Sequence, residues 1–256
     1  MKPKFAFAGI LCITLALFFA AGGSWGGAFV TSADVMFILF SGGCTVLGLI
    51  VVRRFAWRKP RGTFGLTYLG LFLGMLFVFF GDVTGGIYDA VLGATPFPSF
   101  ADAFYLVGYA VASVALLQFL WFFRNAIGQW AYKLVPLFGV SAGGLALVFY
   151  LSSSAAHVPI VALDALYPVS DGFLVMLGVM ILLCFRSRFI SPPWFWFAMG
   201  VLMIGIAHFL NGLGNTEGWY HFPDTIDLLY LWGYVSFGLG FSIQAKPEEF
   251  WKSNSN

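Results

Sequence analysis

The chain has 256 residues, of which 60% are hydrophobic and 9% charged, with a mean hydropathy of +0.89. A soluble domain carries roughly 25% charged residues, so this composition excludes a soluble globule and indicates an integral membrane protein. The formal net charge is only +2 and no basic patch is interleaved with aromatics, which excludes nucleic acid as a partner.

Crossing the hydrocarbon core as a helix takes about 17 to 25 apolar residues. Runs of that kind lie near 5–22, 33–52, 64–81, 101–123, 133–151, 168–185, 193–211 and 226–244, which predicts eight transmembrane helices in an all-α polytopic bundle. All-round apolarity with scattered Gly fits packed helices, whereas a β-barrel would show short segments of strict alternation. The first run follows Met1-Lys2-Pro3-Lys4 and has the order of a secretory signal. It is expected to be retained, because without it the first two-helix unit would lose a helix.

Basic residues give the topology, since Lys and Arg stay in cytoplasmic loops. Lys2 and Lys4 precede the first run, and Arg53, Arg54, Arg58, Lys59 and Arg61 lie between the second and third. Arg124 and Lys133 flank the loop after the fourth run, Arg186 and Arg188 follow the sixth, and Lys246 and Lys252 follow the eighth. With eight helices, all 13 basic residues fall on one side and both termini are cytoplasmic. The expected division is a membrane domain over 1–245 and a short cytoplasmic tail over 246–256 that carries no output domain.

An Asp followed by an apolar run recurs at Asp34, Asp102, Asp171 and Asp227, at intervals of 68, 69 and 56 residues. The spacing predicts four repeated two-helix hairpins in the same orientation. Thr31 to Asp34, Ser99 to Asp102 and Asp224 to Asp227 have capping-box spacing, so each motif is expected to open an inward-running helix. The third unit has Pro168 at that place and would cap through Ser170 or Asp171. Gly70 and Gly74, and the group Gly233, Gly238 and Gly240, would let helices approach closely.

Tyr105, Tyr109, Tyr230 and Tyr234 lie one or two turns beyond these aspartates, where they would anchor the interface as an aromatic belt or line a cavity. The belt is the expected role. Asp82 near the end of the third run, and His208 and Asn211 near the end of the seventh, are polar groups at the margin of apolar runs and are the stronger site candidates. The central turns are expected to hold no charge. Cys12, Cys44 and Cys184 sit in apolar runs without CxxC spacing and read as buried thiols. His157, His208 and His221 have no metal-ligand spacing, and no Lys inside a run could form a Schiff base, so no metal or cofactor is expected.

The run Pro98 to Tyr109, PSFADAFYLVGY, resembles a segment of the N-terminal multi-helix membrane regions of bacterial and archaeal signalling proteins, mainly GGDEF diguanylate cyclases and some histidine kinases. A weaker echo stands at Asp227 to Tyr234. The resemblance implies a membrane sensor or anchor that acts on an output domain, which this chain would either reach through a signalling partner or lack as the excised membrane part of a longer receptor. The combined expectation is a membrane ligand-binding module, not an enzyme, for a lipid-like or small apolar ligand in the bilayer. Its outward vestibule would use Asp82, Asp102, Tyr105, Tyr109, His208, Asn211, Asp227 and Tyr230. The alternative is a membrane enzyme or transporter using Asp82 and His208 as acid/base or binding groups.

Overall fold

The computed structural model describes residues 13–14, 27–55, 63–93, 95–124, 141, 144, 158–186, 192–219 and 225–246. Among them are six helices and no strand: α1 (Gly27–Phe55), α2 (Thr63–Leu92), α3 (Phe100–Phe122), α4 (Val158–Arg186), α5 (Pro192–Glu217) and α6 (Asp227–Ala245). They correspond to six of the eight expected spans. The runs 5–22 and 133–151 lie outside the described residues apart from isolated positions, as do Asp224, His157, His221 and the tail beyond Lys246. Five of the six, α1 to α5, contain stretches long and apolar enough to cross a membrane, and the chain is a multi-pass helical membrane protein.

Each helix packs on its neighbour in sequence, and α6 closes on α1, giving a six-membered ring. Contacts at the helix ends fix the directions. Arg54 at the end of α1 donates to the Ala245 carbonyl at the end of α6, so these two run parallel. Tyr167 in the first half of α4 donates to Asp102 in the first turn of α3, and these two also run parallel. Phe64 opening α2 packs on Phe122 closing α3, and Phe197 near the start of α5 packs on Phe241 near the end of α6. Thus α2 and α5 run against the other four. Arg53, Arg54, Arg124 and Lys246 all lie at one end, called here the Arg54 end, and the opposite end is marked by Asp102.

Helix boundaries follow local chemistry. Gly93, with φ of 76°, ends α2 in the left-handed conformation that glycine adopts without strain. Gly218 at φ 75° does the same for α5, where the Trp219 N–H bonds back to the Gly214 carbonyl at 3.0 Å. Ser99 caps α3: its hydroxyl accepts from the Asp102 N–H at 3.4 Å, while Asp102 Oδ2 accepts from the Ser99 N–H at 2.7 Å. The capping box expected there is formed.

The other motif aspartates are placed differently. Asp34 lies two turns inside α1, because the helix begins at Gly27, and Asp171 lies at mid-helix in α4, which runs through Pro168. Proline removes one backbone donor, yet a helix in lipid still satisfies more of its peptide groups than an irregular segment would. Asp227 does stand in the first turn of α6, but Ile226 occupies the cap position and makes no side-chain cap bond. The Asp motif is therefore not a general rule for starting helices.

Glycine sets the closest approaches. A Cβ on Gly74 would lie 2.9 Å from the Ala112 Cβ and 3.1 Å from the Gly108 carbonyl, and one on Gly108 would lie 2.9 Å from the Gly74 carbonyl. In the α5–α6 pair, Gly200 and Gly233 meet in the same reciprocal way, at 3.0 and 3.2 Å from each other's carbonyls. With no hydrophobic drive between helices in lipid, such close packing supplies the association. At the Arg54 end an aromatic layer fills the ring. Trp194 stacks on Phe119 with centroids 3.7 Å apart and on Tyr68 at 5.5 Å, and Phe197 packs edge-on to Phe241 at 4.9 Å. Cys44 is a buried free thiol as expected.

Candidate functional site

Both Asp82 and His208 lie deeper than the apolar runs indicated. The helix carrying Asp82 continues ten residues further, to Leu92, and the one carrying His208 continues to Glu217. At 1.5 Å per residue, α2 is about 45 Å long against roughly 30 Å of hydrocarbon, so a group about 15 Å from its end is inside the apolar layer. Asp171 lies at the middle of α4, one turn beyond the Tyr167 that meets Asp102. The central part of the bundle thus carries charge-bearing groups, contrary to the expectation from the runs, because the true helices extend beyond the apolar stretches that advertise them.

The Asp82 carboxyl is 6% exposed. Its Oδ1 accepts from the Tyr105 hydroxyl at 2.9 Å and the Tyr234 hydroxyl at 3.3 Å. The Ser41 hydroxyl stands within hydrogen-bonding reach of the same carboxyl and of the Phe37 carbonyl, at 2.8 Å. Asp82 Oδ2 has no hydrogen-bond partner among the described residues. A buried carboxylate oxygen without a donor costs on the order of 1–3 kcal/mol or more, so this atom calls for a proton or a ligand.

His208 sits in a box of three tyrosines. Its Nε2 is hydrogen-bonded to the Tyr109 hydroxyl. Tyr167 stacks on the imidazole at 5.7 Å and 16°, and Tyr230 meets it edge-on at 4.9 Å. Tyr167 in turn donates to Asp102 Oδ1 at 2.7 Å, so the α3 capping box also anchors one wall of the box. Phe37 joins the two clusters, edge-on to Tyr230 at 6.0 Å and to Tyr234 at 6.1 Å.

The two clusters share one plan. Asp82 and His208 each stand eight residues after a close-contact glycine, Gly74 or Gly200. Tyr105 and Tyr109 in α3 match Tyr230 and Tyr234 in α6, each pair four residues apart and beginning three residues after Asp102 or Asp227. Asp82 takes the first tyrosine from α3 and the second from α6; His208 takes the first from α6 and the second from α3. Asp171 Oδ1 is likewise buried with no partner among the described residues, and Asp171 lies within electrostatic reach of Tyr109 and Tyr167.

Of the expected site residues, Asp82, Tyr105, His208, Tyr109, Tyr230 and Asp102 therefore meet in one connected system. Asp227 is 1% exposed and within electrostatic reach of Tyr234. Asn211 is bonded instead to Asn215, one turn further along α5, at 2.7 Å. Tyr109, Tyr230 and Tyr234 are buried and Tyr105 half-buried, which overturns the belt role: the hydroxyls turn inward because Asp82 and His208 supply the partners that lipid cannot. Tyr234, Tyr167, Asp171 and Phe37 join the site without having been among its expected members. The signal for Tyr234 is its match to Tyr109 in the LxGY sequence that α3 and α6 share.

One turn toward the Arg54 end from this layer is an apolar cavity of about 30 Å³, lined among others by Val78, Gly108, Tyr109, Leu174 and Ile204. No group of three or more metal-ligating side chains converges among the described residues. Comparison with family models, with characterised proteins and with solved structures finds no match for this chain.

Proposed function

We propose that the chain is an integral membrane sensor that binds a small, largely apolar molecule within the ring, at the layer formed by Asp82, His208 and their tyrosines. The observation that carries this reading is the buried Asp82 Oδ2, which has no donor among the described residues, held rigidly by two hydroxyls on its neighbouring oxygen. Evolution of a merely structural core would favour apolar side chains at such depth. The aromatic layer of Trp194, Phe119 and Tyr68 supports binding over transport through the ring. The resemblance at Pro98 to Tyr109 supports a signalling role exerted through a protein partner.

The ring is the core of an eight-helix protein with both termini cytoplasmic, the Arg54 end facing the cytoplasm and the Asp102 end facing out. Its two halves, α1–α3 and α4–α6, descend from a duplicated segment that would include the spans over 5–22 and 133–151. The four Asp motifs are then the traces of two copies of that larger unit, within which the hairpins are subunits. Single cysteines replacing Arg124 and Trp219 in a cysteine-free background test the topology: an impermeant maleimide added outside intact cells should label position 219 and spare 124, and the reverse would invert the topology.

Ligand binding is tested by thermal unfolding of the full chain in lipid nanodiscs against oleate, monoolein, farnesol and short alkyl alcohols and amines. At least one should raise the unfolding midpoint saturably, and Asp82→Asn or His208→Gln should remove the rise. A midpoint that none of them moves would sink the binding reading.

A further inference from the structure

Tyr105 lies along α2 in a groove made by two glycines one turn apart. A Cβ on Gly81 would stand 2.5 Å from the Tyr105 ring, and one on Gly85 would stand 4.0 Å from its hydroxyl and 3.9 Å from the Thr95 hydroxyl. Thr95 is exposed at the Asp102 end, and its hydroxyl reaches Asp89 Oδ1 at 2.9 Å and the Gly85 carbonyl at 3.3 Å. On the other flank Asp34 of α1 packs against Gly86, 3.4 Å from where a Cβ would be. Polar groups thus run from exposed Thr95 past bare glycine backbone to Tyr105, whose hydroxyl donates to the buried Asp82.

Asp82 is 6% exposed; its Oδ1 accepts from Tyr105 and Tyr234, and its Oδ2 has no partner among the described residues. The Ser41 hydroxyl lies within reach of both this carboxyl and the Phe37 carbonyl, and its one hydrogen cannot serve both. A proton on the carboxyl resolves the conflict, because Asp82 then donates toward Ser41 while Ser41 donates to Phe37. The other titratable groups facing Asp82 are Asp34 from α1, Tyr105 from α3 and Tyr234 from α6, with Asp89 two turns along α2 and Asp227 within reach of Tyr234. His208 and Asp171 belong to the neighbouring cluster around Tyr109. Every described Lys and Arg (Arg53, Arg54, Arg124, Arg186 and Lys246) stands at the far, Arg54 end.

We infer that Asp82 is a reversible proton-binding site, loaded from the Asp102 end past Thr95 and Gly85 and through Tyr105, so that the ring reads acidity on that side of the membrane. This goes beyond the binding of an organic molecule, and no such molecule enters its test. A water at the bare backbone of Gly85 would bridge the Thr95 and Tyr105 hydroxyls. Loading turns hydronium and carboxylate into water and carboxylic acid. Tyr105 gives its hydrogen to Asp82 and takes another from the Gly85 side, ending unchanged, and a half-turn of the carboxyl brings the acidic hydrogen to Ser41. Unloading makes the two tyrosine bonds charge-assisted, roughly twice as strong as neutral ones, which draws α3 and α6 toward α2. Protonation therefore relaxes a tie between the two halves of the ring.

The test is infrared spectroscopy of the full chain in nanodiscs, followed through a pH titration in the carboxyl C=O region. A neutral-carboxyl band is expected at acid pH, fading in one step as pH rises, and lost at every pH in Asp82→Asn. Tyr234→Phe, which removes one donor from that C=O, should move the same band to higher frequency and so assigns it even where Asp82→Asn does not fold. Spectra in which neither variant loses or moves a band would show a carboxylate throughout and overturn the proposal. A band assigned to Asp82 that persists at every pH at which the fold survives would show a fixed structural proton and overturn it equally.

The route is read from the rate at which the Asp82 band shifts on transfer to heavy water. Gly85→Ala fits without a clash, since no atom of another element stands nearer than 3.9 Å to the new Cβ, and its methyl occupies the place beside both hydroxyls. Thr95→Val removes one of those hydroxyls. Each is expected to slow the shift severalfold while leaving the band itself in place. Unchanged rates in both variants would overturn loading from the Asp102 end.

Discussion

Tyr109 and Tyr234 exchange partners across the ring: Tyr109, on α3, hydrogen-bonds His208 of α5, and Tyr234, on α6, donates to Asp82 of α2 at 3.3 Å. Each bond ties one three-helix half to the other. The halves are therefore joined at their centre by two hydroxyls as well as by the seams between α1 and α6 and between α3 and α4.

Removing either hydroxyl should loosen that tie. Tyr109→Phe and Tyr234→Phe are each expected to cost about 1 kcal/mol, the scale found for hydrogen bonds between membrane helices. Thermal unfolding in detergent measures this. A cycle combining Tyr234→Phe with Asp82→Ala should be non-additive, because both changes delete the same bond; strict additivity would show that the bond contributes nothing.

Close glycine contact makes a sharper forecast. Gly74→Ala would put a methyl 2.9 Å from the Ala112 Cβ and 3.1 Å from the Gly108 carbonyl. Overpacking of this kind costs about 1–3 kcal/mol. Adding Ala112→Gly removes the first clash and leaves the second, so it should recover part of the loss. No recovery would mean that the carbonyl contact dominates.

The α3 cap can be separated from its apparent relatives. Ser99→Ala should cost about 1 kcal/mol as an N-cap loss, and it also frees Asp102, which positions Tyr167 beside His208. A cap loss of this kind is not expected at Thr31, which lies inside α1. Equal losses at both positions would contradict the start of α1 at Gly27.

The aromatic layer supplies a fourth test. Trp194→Ala should destabilise by about 3–5 kcal/mol and open the Arg54 end. In a cysteine-free background, Leu71→Cys should resist a water-soluble maleimide, because Leu71 is fully buried, and Trp194→Ala should make it reactive. Continued resistance with the tryptophan gone would show that other side chains seal this end unaided.

Much of the fold is legible in the sequence, because apolar runs and the one-sided placement of Arg are direct consequences of lipid as solvent. Helix ends are less so. Val83-Thr84-Gly85-Gly86 reads as a poor helix continuation, yet α2 passes through it, with Gly86 packed close to Asp34 and Ile38 of α1. Packing overrides propensity there, and Asp82 is carried inward as a result. Asp82 and His208 can be singled out as polar breaks in apolar runs. That Tyr234 reaches Asp82 and Tyr109 reaches His208 cannot, since it depends on which helices close the ring. Asp171 is concealed by Pro168, which suggests a helix start where α4 is already three turns long.

The Trp194, Phe119 and Tyr68 layer has one more implication for communication between the two ends. Four helices, α1, α3, α4 and α6, share a direction and finish together beyond that layer. On the binding role proposed above, a molecule stopped above that aromatic floor would deliver no matter to the far side, only displacement. What four parallel helix ends would transmit is the spacing between the two halves, set at the level where Tyr109 and Tyr234 cross.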